Sequence, residues 1–143
     1  MKSHFILVTA NTYDEYGNKT KTIDTFKNRL AVNSWHLNKL TPNKEIIQIN
    51  DEVAFYVSDT RKIVGRALIA NKLKEKSKLT DICYRLSFKS IKLFNNPILF
   101  LDRLRQSTIM PKNPKKWGVV LMGGVRKVDQ SDFELFVREQ ENS

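Results

Sequence analysis

The run from Asn50 to Ile69, NDEVAFYVSDTRKIVGRALI, constrains the fold more than any other part of this chain. Val53, Phe55 and Val57 recur at every second position, so this segment is a strand with one face on a core. Asp59, Thr60, Arg61 and Lys62 make a polar connection, and Ile63-Val64 opens a return strand. Gly65 inside that return strand predicts a bulge or a close backbone approach, as at a barrel corner. The same alternation places Tyr56 and Ser58 on the face opposite Phe55 and Val57.

The flanking sequence supplies further elements. Period-2 patterning predicts strands over 5–9, 53–58, 63–69, 82–93 and 117–125. Glu45 to Ile49 is read as a short extended piece, and Leu68 to Lys78 loses the alternation and is read as a loop or arm. Helices are predicted over 22–30, 97–105 and 131–139. Thr22 is the expected cap of the first. Asn96 and Pro97 open the second, and Ser131 with Glu134 matches a capping box for the third. The region around Trp35, in VNSWH, shows no regular pattern. Strands with a few short helices point to an α+β fold around one curved, mostly antiparallel sheet, closed or nearly closed as a pseudo-barrel.

At 143 residues the chain has the size of one domain, 1–143, with 140–143 read as a frayed tail. Hydrophobic residues at 41% are enough for a packed core. No apolar run approaches the length of a membrane span, and Phe5 to Val8 is too short for a secretory signal, so the expectation is a soluble cytoplasmic protein. The lone Cys83 excludes an internal disulfide and a cysteine-rich zinc site, and is read as a buried strand residue. Lys and Arg number 25 against 15 acidic residues, a net charge of +10. Such a surface attracts phosphate polyanions. Lys72, Lys74, Lys76 and Lys78 form one basic cluster, and Lys112, Lys115 and Lys116 a second; both are assigned to a nucleic-acid backbone.

Trp35, then INDEVAFYVSDTRKIVGRALI, then KKWGVVLMGGVRKVDQSDFELF, with HFILVTAN as the first strand, resemble the EVE domain. That family has a PUA-like fold and is related to the YTH and ASCH domains. The resemblance spans essentially the whole chain. It implies a curved-sheet binding domain with a pocket for one base, often a modified one, in DNA or RNA. It also implies that Trp35 forms a wall of the base cage and that the end of the first strand supplies a polar pocket residue.

Catalytic patterns are absent from the sequence. His4 and His36 have no partner at metal-ligand spacing, and no phosphate loop, dinucleotide fingerprint or zincin motif occurs. No metal, no cofactor and no enzymatic activity are expected. Recognition chemistry needs an aromatic to stack on and polar groups to read a base edge. Trp35 is the first candidate, against the alternative of a core tryptophan, because Asn33, Ser34 and His36 around it are polar. Ser34 and His36 are candidate edge readers. Thr9 and Asn11 are candidates at the first strand's end, with Ala10 standing in the pocket position if the register is one residue tighter. Tyr56, Ser58, Trp117 and Arg126 complete the set, against the alternatives that Tyr56 packs beneath a helix, that Trp117 is structural (the reading favoured for it) and that Arg126 is a solvated strand-end cation. The expected function is a nucleic-acid reader; the alternatives are an enzyme acting on nucleic acid or nucleotide, and a small-molecule sensor using the same pocket.

Overall fold

The computed structural model describes residues 2–10, 12–13, 16–76 and 79–139. Among the described residues eight strands occur in chain order: β1 His4–Thr9, β2 Thr12–Tyr13, β3 Lys19–Thr20, β4 Trp35–Asn38, β5 Glu52–Val57, β6 Lys62–Lys74, β7 Ile82–Leu99 and β8 Val125–Val128. Three α-helices accompany them: α1 Thr22–Val32, α2 Phe100–Leu104 and α3 Gln130–Val137. A 3-10 helix covers Pro114–Leu121. Six strands form one sheet in the order β4-β7-β6-β5-β1-β8, and β2 pairs with β3 alone. The pair β1–β5 is parallel and the other ladders are antiparallel.

The sheet curls because its central hairpin is bent. The ladder between β5 and β6 slips at Phe55/Tyr56, opposite Gly65. A Cβ on Gly65 would lie 2.6 Å from the Lys92 carbonyl oxygen of β7, so only glycine permits that approach. This is the predicted barrel corner. The result is a half-barrel with β4 and β8 as its two edges, and a loop bridges toward the second: Asn43 Nδ2 donates to the Val125 carbonyl at 3.0 Å.

Both faces of the sheet are covered, which is why β1 and β5 are apolar at nearly every position. Phe5, Leu7, Val53, Phe55 and Val57 pack with Phe26 of α1 on one face. Ile6, Ala54 and Tyr56 pack on the other, under Phe100, Leu104, Phe133 and Phe136. Each buried large side chain of this kind contributes about 1.5–3 kcal/mol relative to exposure.

Several elements differ from the sequence-based expectation. The segment 117–125 is not a strand. Pro114 starts a 3-10 helix capped by the Asn113 side chain, which accepts from Lys115 N. Gly123 and Gly124, at φ +90 and +91, then turn the chain into the short strand β8. Residues 97–99 are not helical, because Ile98 and Leu99 continue the ladder to Ile63 and Lys62. The stretch to Lys74 is not a loop, since Leu68–Lys74 pairs with β7 over Lys89–Tyr84. Residues 45–49 do not form an extended piece: 42–46 turn, with the amides of Ile46 and Ile47 both donating to the Asn43 carbonyl, and 47–49 join no strand.

Helix ends also differ in their partners. Thr22 does not cap α1 itself: its amide donates to Asp59 Oδ2 at 2.7 Å, while its hydroxyl accepts from Asp59 N. The hairpin tip thus caps the helix in place of a local residue. In α3 the cap is Asp129, accepting from Asp132 N and Ser131 Oγ, rather than a box between Ser131 and Glu134. Cys83 lies in β7 as expected, but half-buried. Among the described residues no helix is long and apolar enough to cross a membrane.

Candidate functional site

The Tyr56 ring points away from Phe55, onto the face covered by α2 and the 3-10 helix. There it meets Phe100 edge-on, with ring centroids 5.4 Å apart, and Phe100 in turn meets the Trp117 ring at 6.5 Å. These rings stand beside an open groove of about 530 Å³, within the range that holds small ligands. Val8, Ala10, Tyr56 and Ser58 form its sheet side, and Trp117, Gly118 and residues 121–124 its other side. None of these lining residues carries a charge.

The polar groups have defined roles. Ser58 Oγ donates to the Thr9 carbonyl at 2.9 Å, so its proton is committed and its lone pairs can only accept. The Tyr56 hydroxyl and the Trp117 indole N–H make no hydrogen bond to a described residue; Trp117 is partly buried, whereas Tyr56 is 4% exposed and packs in the cluster under Phe100. Burial holds the Tyr56 phenol above the ordinary tyrosine range, while the positive charge of Arg61 pulls the other way. The phenol is therefore a neutral donor at physiological pH.

Cations stand outside the groove. The Arg61 guanidinium carbon lies 5.9 Å from the Trp117 ring centroid. Arg61 sits at the hairpin tip with φ +56, its carbonyl accepting from the Phe100 amide, and it has no ion-pair partner among the described residues. Lys112, Lys115 and Lys116 are exposed on the segment that leads into Trp117.

The structure gathers only part of the expected set. Tyr56, Ser58 and Trp117 come together, and Ala10 lines the same groove. Trp35 does not line it. It is 3% exposed and is packed by Phe26, Phe55 and Phe88 with centroids 5.7–6.4 Å away. The core reading of this residue prevails over the cage wall. Its polar neighbour Asn33 misled because it serves the backbone: it ends α1 in the left-handed region and bonds Phe88 through its side chain.

Thr9 is fully buried on the Phe5 and Leu7 face, where its hydroxyl has no partner among the described residues, and its carbonyl accepts from Ser58. Ser34 lies in the turn before β4, its amide donating to the Arg29 carbonyl. His36 points out of the sheet against Arg85. Arg126 pairs across from Ile6 on β8, and it is not a lining residue of the groove; its Nε is buried without a partner among the described residues. Asn11 lies outside the described residues, as does Lys78.

The two lysine clusters do not flank one mouth. Lys62, opposite Val57, marks the groove end of β6, and Lys74 stands twelve residues further along. At 3.3 Å per residue that is roughly 40 Å of strand. Lys72 is also engaged, donating to the carbonyls of Ile47 and Glu45 and lying 4.4 Å from the Tyr84 ring centroid. Arg61 was missed as a site residue. Its signal was its place in a polar hairpin tip whose strand carries Tyr56.

No family model matches the chain, and no curated protein does. Solved structures do. A Rhodopseudomonas palustris protein determined by NMR superimposes with a TM-score of 0.61 at 12% identity, over 94% of this chain and 90% of that one. A crystal structure from Agrobacterium tumefaciens gives 0.57 at 12% identity, covering 92% and 88%. An ASCH protein from Zymomonas mobilis gives 0.54 at 8% identity, covering 92% of each chain. The curled sheet with its few short helices is thus an α+β fold of the PUA-like, ASCH type.

Proposed function

We propose that this protein is a nucleic-acid-binding reader that seats one base, of a kind that includes modified bases, in the groove between Tyr56, Ser58 and Trp117. The observation that carries this reading is the arrangement of two aromatic rings on a groove whose described lining is uncharged, with Arg61, which has no ion-pair partner among the described residues, beside it. A base is a flat, neutral ring attached to a phosphate, and this site offers a flat, neutral trough beside cations. Stacking on an aromatic contributes about 1–3 kcal/mol per base. Arg61, Lys112, Lys115 and Lys116 would hold the phosphates on either side, which positions a strand without reading it. Tyr56 and Ser58 would read the base edge, Ser58 as an acceptor.

The resemblance to EVE domains agrees with this use of the fold, with Trp117 in the role first given to Trp35. Binding without turnover is part of the proposal. It is supported by a lining that, among the described residues, holds no carboxylate, imidazole or thiol.

The test is a panel of short single-stranded DNA and RNA oligonucleotides, with and without single modified bases, titrated against tryptophan fluorescence. Quenching should vanish in Trp117→Phe and persist in Trp35→Phe. Affinity should fall steeply with salt. A ligand that binds equally at all salt concentrations would instead favour a small-molecule sensor, and conversion of the oligonucleotide would favour an enzyme.

A further inference from the structure

Arg61 and Phe100 meet beside the groove, where the Phe100 amide donates to the Arg61 carbonyl. The residues next to them in the chain, Lys62 and Leu99, pair across the β6–β7 ladder and line a second cavity of about 330 Å³. Asp102 and Arg103 of α2 line it as well. Arg103 is only 7% exposed. One of its guanidinium nitrogens donates to the Leu135 carbonyl at 2.6 Å, and the others make no hydrogen bond to a described residue. No carboxylate among the described residues forms an ion pair with Arg103 or Lys62. Glu139, which reaches the Asn96 amide on this lining, is paired with Lys92 at 3.7 Å. Asp102 is exposed on the lining, and its carboxylate too has no partner among the described residues. A buried cation is ordinarily paired. Here it borders a cavity instead.

We propose that this cavity seats the ribose-phosphate unit next to the base in the groove, with Lys62 and Arg103 holding the phosphate and Asp102 accepting a hydrogen bond from the ribose 2′-hydroxyl. The proposal rests on the reading of the groove as a base site, and deepens it by naming RNA as the strand. A ligand here must bring an anion for the two cations and a donor for the carboxylate. A phosphate supplies the first, and a guanidinium fork matches its oxygens. In the backbone of a strand only the 2′-hydroxyl supplies the second, because a DNA backbone carries acceptors alone. Asp102 would then repel a phosphate that arrives without that hydroxyl. The path from groove to cavity is continuous in charge: Arg61 stands 5.9 Å from the Trp117 ring centroid, and the next residue, Lys62, is on the cavity lining.

NMR separates the two sites, since the amides of Leu99 and Asp102 report the cavity and the Trp117 indole reports the groove. Short RNA and DNA strands of one mixed sequence, with uracil in both, differ only in the 2′-hydroxyl. The RNA should move all three signals over one concentration range and bind about tenfold more tightly than the DNA, the effect of one hydrogen bond to a charged group. Asp102→Ala should bring the two strands level, and Lys62→Gln should weaken both. Neither side chain is buried, so both variants keep the fold. Inorganic phosphate alone should move Leu99 and Asp102 only weakly and leave Trp117 in place. Equal binding of RNA and DNA, a preference retained in Asp102→Ala, tighter binding of inorganic phosphate than of RNA, or a response of Trp117 with Leu99 and Asp102 unmoved would overturn the proposal and leave the base groove standing. Movement of Leu99 and Asp102 by RNA, with Trp117 unmoved by any strand, would instead overturn the groove and keep the cavity.

Discussion

Asn33 and Phe88 are joined by two hydrogen bonds: Asn33 Nδ2 donates to the Phe88 carbonyl at 3.0 Å, and the Phe88 amide donates to Asn33 Oδ1 at 2.8 Å. The side chain behaves as a segment of strand, docking the end of α1 on β7 just before β4 begins. This fixes which way β4 faces, and so turns Trp35 inward. Asn33 also adopts φ +49, which asparagine tolerates better than other side chains. Asn33→Ala loses both features and should destabilise the fold by about 1–3 kcal/mol. Asn33→Gly, which restores the backbone freedom but not the bonds, should recover only part of this. Urea unfolding of the two variants measures both contributions.

The two tryptophans should respond in opposite ways. Trp35→Ala opens a cavity among Phe26, Phe55 and Phe88, and a loss of about 3–5 kcal/mol is expected. The folded fraction should still bind ligand. Trp117 is only partly buried at the groove, so Trp117→Ala should cost no more than about 1–2 kcal/mol while removing base recognition. Thermal midpoints set beside oligonucleotide affinities check the pair.

Gly65→Ala places a methyl group 2.6 Å from the Lys92 carbonyl oxygen and about 3.0 Å from a Leu93 methyl. Backbone on one side and a packed strand on the other leave little room for relief. The expected cost is about 1–3 kcal/mol, with loss of amide exchange protection along Ile63–Leu68.

The Tyr56 phenol should ionise later than an ordinary tyrosine, because burial outweighs the attraction of Arg61. Its folded form holds the proton more tightly than its unfolded form. The stability this confers is therefore complete below the unfolded value and lost as pH rises through the folded one. Arg61→Ala should push the Tyr56 titration higher still. Tyrosine-ring NMR across alkaline pH reads both effects.

Charge reversal should separate the two lysine clusters. Lys115→Glu with Lys116→Glu should weaken oligonucleotide binding across all sequences and reduce the salt slope by about one for each phosphate that the protein no longer neutralises. Lys74→Glu with Lys76→Glu, at the other end of β6, should leave the response of Trp117 to a single-base ligand unchanged. Fluorescence titrations at several salt concentrations decide this.

The bent hairpin was legible in the sequence because it is local: alternation, a polar tip and Gly65 lie within twenty residues of one another. Helix α1 and the burial of Phe133 and Phe136 in α3 follow equally from local periodicity. So does the placement of Tyr56 and Ser58 opposite Phe55, since side chains of a strand alternate whatever the strand meets. Tertiary structure decided the rest. The far half of β6 carries too little alternation to announce itself, and it is a strand because β7, read as a strand over 82–93, satisfies its backbone groups. Residues 97–99 have helix-start chemistry, yet the ladder to Lys62 and Ile63 holds them extended. Trp35 among polar neighbours reads as a surface aromatic, but Asn33 spends its side chain on the distant strand β7, His36 points out against Arg85, and the indole is left to the core. The groove itself is the clearest case. Tyr56 and Trp117 lie 61 positions apart, and only the packing of both against Phe100 makes them one site.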